Sequence, residues 1–169
     1  LGSIDSTNTA ALEALEDGLV VVAEAQTAGR GRHGNRWSSA RGLGVWCSIC
    51  IQGPPRGLTF AAAVAVHQAL SRRANVRLKW PNDVLCDGKK LAGILVEHRR
   101  GWNALGMGIN VHHRPEDFPQ PLRPLATSLD SATGLAWDRQ EVLAAVLAEL
   151  APRVRLLRGG GFQTVGQEW

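Results

Sequence analysis

Between residues 76 and 111 the chain passes from strand to turn and back several times, with no helical pattern in between. Residues 76–80 alternate Val, Arg, Leu, Lys and Trp, which puts Arg77 and Lys79 on one face of a strand. Pro81-Asn82-Asp83 ends that strand. Residues 84–86 and 91–97 flank Asp87-Gly88, a hairpin signal, and residues 102–111 supply a further strand or pair of strands. Strands that come in runs, rather than in strict alternation with helices, point to a mixed α/β or α+β sheet and away from a doubly wound one.

Helical patterns lie on either side. Residues 9–16 are rich in Ala, Leu and Glu after Ser6-Thr7-Asn8, with Gly18 as the expected stop. Residues 19–23 are a short apolar run that reads as a buried strand, and residues 43–51 read as another, stopped by Gly53-Pro54-Pro55. Residues 58–73 are apolar around most of the circumference, the pattern of a buried helix. Asp138, with Glu141 three residues on, starts a helix whose face carries Leu143, Val146, Leu147, Leu150, Val154 and Leu157, interrupted or kinked near Pro152. Residues 112–124 hold four of the eight prolines and read as an irregular loop. With 169 residues, a single domain with its own core is the default.

Several function classes are disfavoured by composition. No apolar stretch reaches the ~18 residues that span a bilayer, and no signal-peptide pattern opens the chain. The three cysteines form no disulfide framework, and Cys47 and Cys50, although spaced C-x-x-C, lie in a strand where an offset of three points them to opposite faces. Buried thiols in a reducing cytoplasm are the expectation, with no metal site. The histidines show no ligand spacing and read as exposed or capped. A formal charge of +4 is modest, but between Gly29 and Arg41 stand four Arg and one His with no acid, which suits an anionic ligand.

Three segments could carry chemistry. Gly29-Arg30-Gly31-Arg32-His33-Gly34 fits G-x-G-x-x-G, yet no helix opens within it as a dinucleotide fold requires. Backbone N–H groups and guanidinium forks in such a loop can wrap a phosphate or carboxylate; a solvated surface turn is the plain alternative. Lys79-Trp80-Pro81-Asn82-Asp83 sets a cation, an amide and a carboxylate at a strand end, fit for charge developing on a phosphate and for magnesium or ribose. Taken alone it also fits a simple turn. In residues 89–97 Lys90 opens a strand and Gly93 marks a place where a ligand can approach the backbone. Gly106 and Gly108 precede a polar tip at Asn110.

Ser6-Thr7-Asn8, residues 23–34, Lys79-Trp80-Pro81-Asn82-Asp83, Lys90-Leu91-Ala92-Gly93-Ile94-Leu95 and Gly106-Met107-Gly108-Ile109-Asn110 follow one another in this order. The series resembles the central catalytic domain of biotin–protein ligases over nearly the whole chain. The resemblance implies an α+β fold of the class II synthetase-like, biotin–lipoate ligase kind, with a mixed, mostly antiparallel sheet flanked by helices. It also implies two half-reactions: biotin carboxylate attacks the α-phosphate of ATP to give biotinyl-5′-AMP and pyrophosphate, and a lysine of a biotin carboxyl carrier protein domain then attacks the mixed anhydride.

By this resemblance Ser6, Thr7, Asn8, Gln26 and Gly93 meet biotin, and the loop with Arg30, Gly31 and Arg32 orders over biotin and adenylate. Lys90 touches the carboxylate or acyl phosphate, and Lys79 stabilises the pentavalent phosphorus. Asn82 and Asp83 lie near phosphate, Mg²⁺ or ribose; Trp37 packs on adenine; Asn110 is a second nucleotide contact. Lys79, Arg32 and Lys90 are the expected catalytic residues, ATP with Mg²⁺ the expected cofactors. Residues 29–34 are expected to be disordered until ligand binds.

One catalytic domain over residues 1–169 is expected, without the N-terminal helix-turn-helix or the small C-terminal β domain that other members carry. A repressor role, nucleic-acid binding and membrane association are therefore not expected; a cytoplasmic enzyme, able to form a homodimer, is. A lipoate or octanoate ligase or transferase on the same fold is the nearest rival reading. A non-catalytic nucleic-acid or regulatory module, using the arginine-rich loop, is the rival from another class, and it predicts steep salt dependence with no pyrophosphate release.

Overall fold

The computed structural model describes residues 1–53 and 56–168. Pro54 and Pro55, expected to stop a strand, lie outside the described residues. Six strands form one antiparallel sheet: β2 (Val20–Ala23), β4 (Gly44–Gln52), β5 (Val76–Lys79), β6 (Asp83–Cys86), β7 (Lys89–Arg99) and β8 (Trp102–Asn110), in the order β2-β4-β8-β7-β6-β5. The short β1 (Ser3–Ile4) and β3 (Ala25–Gln26) pair in parallel as a separate ribbon, which makes the whole mixed and mostly antiparallel.

The sheet has two unlike faces. On one, Val45, Cys47, Ile49 and Ile51 of β4, Ala92 and Ile94 of β7, and Leu105, Met107 and Ile109 of β8 join the main core. Helices α2 (Leu58–Leu70) and α4 (Arg139–Arg158) cover that side. On the other, beside Trp46, Leu95 and Trp102, stand small or polar residues: Ser48 and Cys50, Ala104, Gly106 and Gly108, then Gly93. Helix α1 (Thr7–Ala14) packs here, and Ala11, Val21, Cys50 and Ala104 make a second, smaller core. Cys47 and Cys50 thus point to opposite faces, all three thiols are free, and burial pushes the Cys47 thiol up to about 12.

Some boundaries differ from the sequence expectation. Helix α1 begins two residues early, with Ser6 at its N-cap, and ends in a left-handed Leu15 rather than at Gly18. Packing on the sheet, which buries Thr7, Asn8 and Ala11, sets the start. Helix α4 runs without a break through Pro152; Asp138 caps it by accepting from the backbone N–H groups of Gln140 and Glu141. Its burial of Val142, Val146 and Leu150 outweighs the one backbone bond that proline removes. Two short helices were not legible in the pattern, α3 (Leu129–Thr133) and α5 (Phe162–Gln167). No helix among the described residues is long and apolar enough to cross a membrane.

Leu105 is fully buried at the centre of the sheet. Leu105→Ala is expected to cost ~2–5 kcal/mol, read as a lowered urea midpoint with unchanged slope.

Candidate active site

The glycines of β7 and β8 create the site. A side chain at Gly106 would collide with the Asn8 amide, and one at Gly108 with the Trp37 indole; at Gly93 a Cβ would stand 2.9 Å from the Trp37 ring. Gly93 and Gly108 are register partners, so Trp37 lies across two strands where no side chain stands. Trp37 and the Lys90 stem lie against Gly93, which also lines the cavity described below.

Helix α1 brings Thr7 and Asn8 down onto this face. Ser48, fully buried on β4, lies 2.7 Å from Thr7 Oγ1 and 2.6 Å from Asn8 Oδ1. Gln26 Oε1 accepts from the Thr7 backbone N–H at 2.8 Å, and Gln26 Nε2 donates to Ser39 Oγ at 2.7 Å. Asn8 Nδ2 donates to Glu97 Oε2 at 2.6 Å. These side chains form one continuous hydrogen-bonded chain across the sheet.

The arginine-rich loop folds back over it. The Gly31 N–H donates to Asn35 O at 2.7 Å and the Trp37 N–H to Gly29 O at 2.9 Å, so the segment is a narrow hairpin with its own bonds. Its glycines allow the closure, since a Cβ at Gly29 would stand 2.5 Å from the Trp37 carbonyl. Arg30 forms a two-pronged pair with Glu97 (3.1 and 2.9 Å) and donates to Thr9 Oγ1. Among the described residues, Arg32 donates only to the neutral Asn82 Oδ1, at 3.2 Å.

Lys90 is fixed by its backbone. Its N–H donates to Leu125 O at 2.8 Å, and its carbonyl accepts from the Thr127 N–H at 2.9 Å. The ammonium lies 2.7 Å from Asp83 Oδ1 and 5.3 Å from the centre of the Trp37 ring.

The result is a cavity of about 240 Å³ whose wall includes Ser6, Thr7, Asn8, Gln26, Arg30, Gly31, Arg32, Trp37, Asn82, Asp83, Lys90 and Gly93. Four cationic side chains (Arg30, Arg32, Arg36 and Lys90) face it against one carboxylate, Asp83. Among the described residues no cluster of His, Cys, Asp and Glu could hold a metal ion.

Two expected site residues lie apart from this wall. Lys79 is exposed at the end of β5, across from Asp83 in the strand register, because the β5–β6 turn carries it one strand beyond the cavity. The strand lysine that meets the glycine-rich hairpin is Lys90. Asn110 is buried, and its Nδ2 donates to Thr127 O at 3.0 Å, so in this structure it secures the segment that holds Lys90.

Sequence reasoning missed Glu97 and Ser48. Both were within reach: Glu97 is four residues past Gly93 and so shares its face, and Ser48 is the one hydroxyl inside an apolar strand. His113 was also misread as exposed or capped. It is 1% exposed, stacked on Phe118 and edge-on to Trp46, which itself meets Trp37 edge-on. Neither ring nitrogen makes an aligned hydrogen bond. Burial holds its pKa down at about 4, only partly offset by the Asp117 carboxylate.

An uncharged hydrogen-bonding wall beside a cationic wall, on an antiparallel sheet, suits a neutral polar group next to an anion. The sequence pattern of the Biotin/lipoate A/B protein ligase family matches residues 2–113, and the chain belongs to that family. It is 40% identical over 166 residues to the Bifunctional ligase/repressor BirA of Bacillus subtilis, covering 90% of this chain and 51% of that protein. It is 34% identical over 188 residues to the Biotin--[acetyl-CoA-carboxylase] ligase of Paracoccus denitrificans, covering 100% of this chain and 78% of that one. The fold matches the biotin protein ligase from Aquifex aeolicus in complex with biotin and ATP, with a TM-score of 0.86 and 34% identity over 96% of this chain and 72% of that chain. The chain spans about half the length of several curated relatives that it matches, 51% and 54% in two cases.

His113 gives a pH test. Its folded pKa of about 4 lies below the ordinary value of 6.5, so the stability linked to its neutral form is full above pH 6.5 and is lost as the pH falls to about 4. That loss is at most ~3 kcal/mol. His113→Phe keeps the ring stack, and urea titrations between pH 7 and 4 should show a shallower acid decline than the wild type.

Proposed function

We propose that this chain is the catalytic domain of a biotin–protein ligase, which activates biotin with ATP and passes it to a lysine of a carrier domain. The observation that carries the reading is the meeting, in one cavity, of Thr7, Asn8 and Gln26 with Arg32 and Lys90. Biotin's ureido ring offers donors and acceptors without charge, which suits hydroxyl and amide side chains. Its carboxylate and the triphosphate repel one another, and clustered cations offset that repulsion where the new bond forms. The complex with biotin and ATP of the Aquifex aeolicus relative, and the name of the Paracoccus denitrificans one, support the choice of substrates.

In this reading Ser6, Thr7, Asn8 and Gln26 receive the ureido ring. The biotin carboxylate lies against Lys90, which exchanges part of its pairing with Asp83 for the substrate. A carboxylate oxygen attacks the α-phosphorus, the bond from phosphorus to the bridging oxygen breaks, and pyrophosphate leaves. Arg32, held only by a neutral amide, turns to the charge that gathers on the α-phosphate. Trp37 packs on adenine. The hairpin of residues 29–37 shields the anhydride from water until the carrier lysine's amine attacks the acyl carbon and AMP departs.

Asp83 and Asn82 fit a magnesium ion that keeps most of its waters, because such ions take one or two protein oxygens and lean on phosphates for the rest. When bound with ATP it would supply neutralisation of the triphosphate. Lys79 takes an outer role on the triphosphate, from the exposed strand end.

The deciding measurement is pyrophosphate release with ATP and Mg²⁺ on adding biotin, lipoate or neither. Release with biotin alone is expected; release with lipoate alone favours the lipoate reading, and none with either removes the ligase assignment. Lys90→Ala is expected to lower the single-turnover rate of adenylate formation by ~10² or more. Lys79→Ala should act less strongly and mainly through the KM for ATP; equal losses at both positions would return Lys79 to the reaction centre.

A further inference from the structure

We infer that Glu97 is a positioning residue: its carboxylate sets the direction of the hydrogen-bonded chain that faces the neutral substrate head group and anchors the arginine hairpin above it. The inference rests on the biotin-binding reading of the cavity and goes beyond it, to a residue that lies outside the cavity wall.

The geometry is as follows. Glu97 stands on β7 four residues after Gly93, on the same face of the sheet. One oxygen, Oε2, accepts from Asn8 Nδ2 at 2.6 Å and from Arg30 at 2.9 Å; the other, Oε1, accepts from Arg30 Nε at 3.1 Å. A carboxylate can only accept, so the amide of Asn8 must turn its NH₂ toward Glu97, and the Leu95 carbonyl at 3.4 Å demands the same direction. Asn8 Oδ1 then faces Ser48 and takes that hydroxyl's single proton at 2.6 Å. With its proton spent, Ser48 can only accept from Thr7, 2.7 Å away. Thr7 in turn has one proton, for Ser48 or for Gln26 Oε1 at 3.1 Å, so toward the cavity its oxygen presents a lone pair. Gln26, whose carbonyl is already taken by the Thr7 N–H, keeps one free amide hydrogen after bonding Ser39. One charge thus fixes which wall groups accept and which donate, over three side chains.

Glu97 has a second effect. It neutralises Arg30 by a two-pronged pair, so that Arg32, Arg36 and Lys90 are the cations left to meet a substrate anion. Loss of the charge at residue 97 would free Arg30 to compete for that anion and would release the base of the hairpin.

The test is direct biotin binding by titration calorimetry in wild type, Glu97→Gln, Asn8→Ala and the double variant, with adenylate-formation kinetics on the same proteins. Glu97→Gln keeps the volume but brings a donor to face Asn8. Expected are a fivefold or greater weakening of biotin binding, a raised KM for biotin and a KM for ATP unchanged within twofold. In the Asn8→Ala background the same change should weaken biotin by clearly less than in the wild type, because the Asn8 link is already cut and only the Arg30 contact is left to lose. Glu97→Asp, which keeps the acceptor charge, should recover at least half of the lost affinity on the logarithmic scale. Full-strength binding by Glu97→Gln would overturn the inference, as would additive losses in the double variant. A wild type that does not bind biotin at all would sink the functional reading itself, and is told apart because no variant comparison then arises.

Discussion

The site exists because three adjoining positions on one side of the sheet carry no side chain. Gly93, Gly106 and Gly108 sit on adjoining strands, and the room above them is taken by Asn8 and Trp37, which would otherwise have nowhere to rest. A close approach of backbone and side chain of this kind admits only glycine. The opposite side carries Leu105, Met107 and Ile109 into the main core, so the same strand that anchors the fold also clears the floor of the cavity. Stability and binding are divided between odd and even positions of β8.

Charge is arranged with similar economy. The cations near the cavity are not equally engaged: Arg30 is matched by a carboxylate, Lys90 shares one with an aromatic face, and Arg32 holds only an amide. Partly exposed pairs contribute little to folding, so their value is in direction. They keep long side chains aimed at a common space before any anion arrives, which reduces the ordering that binding must otherwise supply.

Much of the architecture was legible from the strand runs. Period-two alternation located β4 through β8, and the opposite placement of Cys47 and Cys50 followed from the same rule. The segments lining the cavity could be listed because each carries an unusual local composition. Helix ends were less legible, since α1 starts where tertiary packing buries Thr7 and Asn8, whatever the propensity of the residues. The place of Lys79 was not legible either: a lysine at the tip of β5 and a lysine near the start of β7 look alike in sequence, and only the sheet order decides which one faces the cavity. His113 carried no signal at all, because its burial depends on Trp46 and Phe118, which lie on separate segments.

The proline-rich stretch after β8 is tied down at both ends. The His113 carbonyl accepts from Ser128 and Ser131, and Leu125 and Thr127 flank Lys90 through the backbone. Chain between two fixed moorings can lengthen, shorten or change its residues without dragging either mooring along. Apart from Phe118, which stacks on His113, residues 114–124 are therefore where sequences built on this plan have latitude to diverge, while the lysine beside them stays in its place.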